Sequence, residues 1–121
     1  MAGSTPPSGE DFQFDVEQHG EAAVVKLAGS IHMNVCEELQ TELLKLIDRP
    51  TRKVVLDLSQ LTFICSLGLG ALVAAHLRSL HHRGAVRLVA PEPSIRNLLE
   101  ITKLVKIFPP YDSVEVALAD N

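Results

Sequence analysis

Tryptophan is absent from this chain, and aromatic residues are scarce: four Phe and one Tyr among 121 residues. A core must therefore be aliphatic, built from Leu, Val, Ile and Ala. The same scarcity removes the stacking platforms on which single-stranded nucleic acid is held. A basic stripe is missing too. Eleven Lys and Arg stand against 15 Asp and Glu, a formal net charge of −4, with both signs scattered along the chain. Nothing there tracks a phosphate backbone, so nucleic acid is excluded as an expected partner. No apolar run reaches the roughly 20 residues of a membrane span, and the opening MAGSTPPSGE has no apolar centre of the kind a signal segment needs. No membrane insertion is expected, and the expected location is cytoplasmic.

Cysteine is almost missing. Cys36 and Cys65 are far apart in sequence with no C-x-x-C spacing, and in a reducing compartment the expectation is two free thiols. Cys65 falls beside a helix N-terminus, the setting of a redox-sensitive thiol, although a small buried hydrophobe is the plainer reading. His76, His81 and His82 do not have the i, i+4 pairing of a helical metal site, and no carboxylate joins them. No histidine is placed to complete a hydrolytic triad with Asp57, and Gly68-x-Gly70 is half of a dinucleotide fingerprint. The chain is expected to be no enzyme and to carry no metal and no cofactor.

What is present suits one soluble domain: 46% hydrophobic and 21% charged residues, on a chain long enough to bury a real core. Residues 1–10, rich in Ser, Pro and Gly, read as a disordered tail, and residues 11–121 as the domain. Phe12, Phe14 and Val16 alternate with Asp11, Gln13, Asp15 and Glu17, the pattern of a half-buried strand, and a turn at Gly20-Glu21 returns the chain into AAVVKLAG as a hairpin. A helix follows, with Asn34 as N-cap, Glu37 at capping-box spacing, and Val35, Leu39, Leu43 and Leu46/Ile47 as its apolar stripe. KVVLDLSQL reads as a buried central strand. After it come a helix from Ser66 to about His82 stopped by Gly84, a strand AVRLVA, a helix from Glu92 to about Lys103, a brief strand VKIFPP, and a last helix capped by Asp112 with Glu115 at N3. Strands alternating with helices after an initial hairpin predict an α/β fold: a mixed, mostly parallel sheet of about five strands, with helices packed mainly on one face.

The segment FICSLGLGALVAAHLRSLHHRG carries the functional question. Ser66 stands where an apolar strand ends and a helix begins, the place where open α/β sheets put their ligands. Free backbone N–H groups and the positive dipole end there would tolerate a phosphate. The predicted core stripe of this helix is Leu69, Leu72/Val73, Leu77 and Leu80. Leu67, Gly70, Ala71 and Ala74 then cover a face where Glu, Lys or Gln would be usual, which suggests a surface covered by another protein. The plainer reading is also open: Ser66 as an ordinary N-cap, with a loop or a second copy of the chain, as a homodimer, over the apolar face.

The stretch from VVLDLSQL to VEVAL resembles a STAS domain of the anti-sigma factor antagonist type. The matching residues are Ser66, Gly68 and Leu69, then Gly84, the Pro91–Pro93 loop, Leu98, Leu104 and Phe108, and the upstream VVKLAGSIHMNVCEEL is similar to the segment leading into the family's first helix. The resemblance covers about residues 12 to 118. It implies an antagonist that binds an anti-sigma factor with serine kinase activity, and that phosphorylation of the motif serine, here Ser66, switches off. It also implies a contact surface of His32, Met33, Asn34, Cys65, Ser66, Leu67, Gly68, Gly70, Ala71 and Ala74. Four positions depart from the pattern: Cys65 replaces the acid before the serine, Ser30 and His32 replace the upstream acids, and Leu67 replaces a small residue. A scaffold or transporter-associated STAS module without the phosphorylation switch is the second reading, and a small-nucleotide binder the third.

Overall fold

The computed structural model describes residues 12–49, 53–90 and 92–120. The expected tail at residues 1–10, Asp11 of the first strand, and the loop residues Pro50 and Pro91 lie outside them. The alternating segment forms β1 (Phe12–His19), which turns through Gly20 and Glu21 into β2 (Ala22–Ile31) with His19 opposite Ala22. Gly20 takes φ +64°, the left-handed region that a two-residue hairpin loop demands at its first position. Then follow α1 (Met33–Asp48), β3 (Lys53–Ile64), α2 (Ser66–His81), β4 (Ala85–Val89), α3 (Pro93–Ile101), a 3₁₀ turn at Leu104–Lys106, and α4 (Val114–Ala119).

The sheet is mixed and mostly parallel, as the alternation of strands and helices implies. Its order is β1-β2-β3-β4, with β1 antiparallel to β2 and the other two pairings parallel. Alternation along the strands splits the core in two. Val25, Leu27, Val54, Leu56, Leu58, Val86 and Leu88 face α1, α2 and α3 in the main cluster. Val24, Val55 and Val89 face the other way and meet Ala117 of α4 in a small second cluster. Three helices thus share one face, and α4 has the other. Val16, expected beside Phe12 and Phe14, is exposed on the edge strand β1.

The expected fifth strand does not form. Its residues enter the 3₁₀ turn after Lys103, which adopts φ +63°, and Pro109 and Pro110 have no N–H to give to a ladder. What remains is a single parallel bridge between Val89 and Tyr111, made by Tyr111 N–H to the Leu88 carbonyl at 2.8 Å and Ala90 N–H to the Tyr111 carbonyl at 3.1 Å. Among the described residues the sheet has four strands.

The helix termini also shift. α4 is capped by Ser113, whose Oγ accepts from Val116 N–H, while Asp112 pairs with Arg96 at 3.0 Å. The other end of α4 is held by Lys53, whose ammonium donates to the carbonyls of Ala117 (3.2 Å), Leu118 (2.9 Å) and Asp120. A cation there complements the negative end of the helix dipole. α2 ends in a Schellman arrangement: Gly84 N–H reaches the Ser79 carbonyl at 2.9 Å. The residue in the left-handed conformation is Arg83 (φ +58°), one position before the glycine expected to stop the helix. Arg78 and His82 both reach Asp48 at 3.0 Å, tying the C-terminal turns of α2 and α1 together.

The buried face of α2 is Gly68, Leu69, Ala71, Leu72, Ala75 and Ser79, whereas Leu77 and Leu80 of the expected stripe are exposed. Small residues on the inner face bring α2 close to the sheet. At Gly68 an added Cβ would lie 2.7 Å from Ile64 Cγ1 and 2.9 Å from Ile31 Cγ2, both on β-branched side chains with little freedom to move. At Gly70 nothing lies within 4 Å. Gly68→Ala is therefore expected to destabilise by about 1–2 kcal/mol, overpacking outweighing helix propensity, and Gly70→Ala to stabilise by about 0.5–1 kcal/mol. Urea unfolding of the two variants checks both signs.

His76 stacks edge-on against Phe108 with ring centroids 4.9 Å apart, and its Nδ1 is buried without a partner. Burial first, and the Arg87 charge second, push its pKa below the usual 6.5. The unfolded chain then binds the proton more readily than the folded one. The contribution of this group is fully present above pH 6.5 and is lost as pH falls toward the lowered folded value. Stability measured by urea unfolding at several pH values is expected to fall less steeply with acidification in His76→Phe than in the parent chain.

Candidate functional site

Parallel pairing of β2 with β3 sets their carboxyl ends side by side, with Ser30 opposite Phe63 and Ile31 opposite Ile64. Each strand runs straight into a helix after one residue, His32 before α1 and Cys65 before α2. Cys65 N–H donates to the Ile31 carbonyl at 3.0 Å, so the two strand-to-helix turns are joined. Both helices open on the same edge of the domain.

The caps correct the sequence reading. α1 starts at Met33 with His32 as N-cap, not Asn34, and α2 starts at Ser66 with Cys65 as N-cap, not Ser66. Neither cap residue makes a side-chain bond to its helix, and neither helix has an acidic residue in its first turn. Ser66 is the exposed first residue of α2, and its hydroxyl is not used as that cap. The edge therefore presents the positive ends of two helix dipoles without local compensation.

Around Ser66 the surface is apolar. Met33 is 70% exposed, Leu67 55% and Phe63 45%, large values for such side chains. The His32 ring lies 5.0 Å from the Phe63 ring, centroid to centroid, and so stands beside that group. Asn34 and Gly70 are exposed as well, and Cys65 and Ala74 are half-buried. Gly68 and Ala71 were expected on this surface, but the structure puts both in the core face of α2, where they set the approach to β2 and β3. They shape the edge from beneath and offer it no side chain.

Two residues of the edge were missed. Phe63 was given no role, because the strand was read as ending at Leu61, whereas β3 runs on to Ile64. The register irregularity between Gly29 and Ser30 rephases the end of the β2–β3 pair, and Ile64 takes the buried place. A long apolar strand that outlasts its alternation was the available signal. Cys36 read as one more helix residue. It is buried in the first turns of α1, and its Sγ lies 3.5 Å from Cys65 Sγ. The two thiols, remote in sequence, meet under the edge as free cysteines. Cys36 Sγ also donates to the His32 carbonyl at 3.3 Å, and burial together with the neighbouring thiol pushes its pKa up to about 11.

His76, His81 and His82 do not converge, and among the described residues no three His, Cys, Asp or Glu side chains gather as metal ligands. No helix among them is long and apolar enough to cross a membrane. A cavity of about 390 Å³ lies away from the Ser66 edge, bounded by His76, Arg87, Phe108 and Tyr111 among others.

Comparison with known proteins agrees with this architecture. BtrV of Bordetella bronchiseptica, which bears the name of an anti-sigma factor antagonist, is 38% identical over 95 residues, 77% of this chain and 80% of its own. The anti-sigma F factor antagonist of Paenibacillus polymyxa is 26% identical over 111 residues, 91% of this chain and 95% of its own. The crystal structure of an anti-sigma factor antagonist from Mycobacterium paratuberculosis superposes with a TM-score of 0.80 at 30% identity, covering 95% of each chain. The sequence pattern of the STAS domain matches residues 13–117. With that span and those relatives, the chain belongs to the STAS domain family.

Proposed function

We propose that this protein is an anti-sigma factor antagonist, a binding protein with no catalytic role of its own. It occupies an anti-sigma factor that is also a serine kinase, and its release is governed by phosphorylation of Ser66. The reading takes residues 11–121 as the working domain and the cytoplasm as its location. One observation carries it: an exposed serine at the first position of α2, ringed by the exposed apolar side chains of Met33, Phe63 and Leu67. A kinase can reach such a hydroxyl, and a partner can cover such a ring.

The physics of the switch follows from the edge. A phosphate adds a charge of about −1.5 to −2, and the uncompensated helix N-termini of α1 and α2 tolerate it in the free protein. Against an apolar partner surface the same charge must be desolvated, which opposes binding. The acids that accompany this serine in the family pattern are replaced by Cys65, Ser30 and His32. That replacement favours a partner whose own surface differs to match. It also gives the second reading its footing: a scaffold-type STAS module that binds through the same edge with no phosphorylation switch.

Incubation with the cognate kinase and ATP is expected to place one phosphate on Ser66 and none on Ser66→Ala. Ser66→Glu is expected to weaken binding by at least about tenfold, from the charge alone. Unaltered binding by Ser66→Glu, with no phosphate incorporated, would return the scaffold reading.

Leu67→Asp separates docking from folding. The side chain is exposed, so stability should move by no more than about 0.5 kcal/mol, while binding to the anti-sigma factor should weaken by about 1–2 kcal/mol, roughly 5- to 30-fold. Calorimetric titration beside a thermal melt gives both numbers. Equal affinity for parent and variant would move the interface elsewhere.

A further inference from the structure

Cys65 belongs to the expected contact surface, but neither it nor the buried Cys36 beneath the edge is used by the phosphorylation switch, and no role has been given to the two sulfurs as a pair. Cys36 and Cys65 come from different helices, α1 and the cap of α2, and their sulfurs are 3.5 Å apart. A disulfide requires about 2.05 Å. The remaining distance of about 1.5 Å is within the reach of modest side-chain rotation, since each sulfur swings on its own Cα–Cβ bond. The two thiols form a short chain of hydrogen bonds: Cys36 S–H donates to the His32 carbonyl, which leaves Cys65 S–H to donate to Cys36 Sγ. They differ in access. Cys65 is half-buried at the domain edge, whereas Cys36 is buried behind it.

We propose that Cys36 and Cys65 are a reversible dithiol–disulfide site, closed by hydrogen peroxide and reopened by a small dithiol, which stiffens the edge that bears Ser66. The Cys65 thiolate attacks one oxygen of the peroxide. The O–O bond breaks, giving a sulfenic acid on Cys65 and a hydroxide that takes up the proton the thiol released, leaving as water. The Cys36 sulfur then attacks Cys65 Sγ. The S–S bond forms, the S–O bond breaks, and the departing hydroxide takes the Cys36 proton as a second water. Two electrons have passed from the sulfurs to the peroxide, and two waters are the only other products.

The raised pKa of Cys36 fits the order of events, because the buried thiol stays protonated while the accessible one reacts first. Closure links the first turn of α1 covalently to the N-cap of α2, beside the backbone bond from Cys65 N–H to the Ile31 carbonyl. Met33, Asn34, Ser66 and Leu67 all lie within three residues of one sulfur or the other. Any effect on a partner rests on the docking reading above, whereas the chemistry of the pair does not.

The test therefore uses the purified reduced chain alone. After peroxide, the monomer is expected to lose the mass of two hydrogens and both titratable thiols, and to yield a tryptic pair linking the Cys36 and Cys65 peptides. Dithiothreitol should reverse all three changes. The oxidised chain should melt higher by on the order of 5–10 °C and exchange its amides more slowly at residues 33–36 and 66–68. In Cys36→Ser, dimedone should trap a sulfenic acid on Cys65. Two thiols that persist in excess peroxide would overturn the proposal, as would a link between two chains or oxidation of Cys65 to sulfinic acid with no linked peptide. All three are read on the parent chain, so the conclusion does not depend on how the variant folds.

Discussion

The hydrogen bond from Cys65 N–H to the Ile31 carbonyl is the joint on which the Ser66 edge of this molecule depends. Parallel strands β2 and β3 deliver two chains to the same edge, and this bond fixes how they part. From it α1 and α2 diverge into the main core layer with their N-termini adjacent. Gly68, one turn on, holds α2 close above Ile31 and Ile64, the last residues of the two strands. Move that joint and the serine, the exposed apolar ring and the sulfur pair all lose their relation to one another.

α2 is apolar on two sides, and beside the buried Leu69 and Leu72 its inner face is sorted toward small side chains. The small ones, Gly68, Ala71, Ala75 and Ser79, face inward, because a helix laid close on a sheet leaves little depth for them. Leu67, Leu77 and Leu80 are left outside, and the first of them stands beside Ser66. A pattern read by hydrophobicity therefore found Leu69 and Leu72, which are buried, but carried the stripe on to Leu77 and Leu80, which are exposed, where the core takes Ala75 and Ser79. The same sorting explains Gly68 and Ala71, which were assigned to the surface as small apolar residues and belong to the interior for that very property.

Much of the fold was legible because it rests on period. The hairpin, the parallel order and the apolar stripe of α1 follow from alternation and helical spacing, and the family from the resemblance carried by its motif residues. The termini were less legible. His32 and Cys65 cap their helices through backbone geometry without a side-chain bond, so better capping residues one or two positions on, Asn34 and Ser66, drew the boundary toward themselves. Asp112 gave way to Ser113 because Arg96 engages its carboxylate. The VKIFPP strand failed for want of donors at Pro109 and Pro110. The Cys36–Cys65 contact was hidden most deeply, since it arises only when a whole crossover connection brings the two strand ends together.

The asymmetry of the two core layers has a consequence for how the molecule comes apart. On the far face, α4 sets its Val114, Ala117 and Leu118 against Val24, Val55, Val89 and Tyr111, and the Lys53 ammonium lies over its last carbonyls. A short terminal helix secured by so few buried groups is the least costly part of the domain to open. Its release bares the back of the parallel strands and leaves the helical layer under Ser66 in place. The small cluster under α4 and the main cluster under α1, α2 and α3 lie on opposite faces of the sheet, so opening the first leaves the packing behind the Ser66 edge intact.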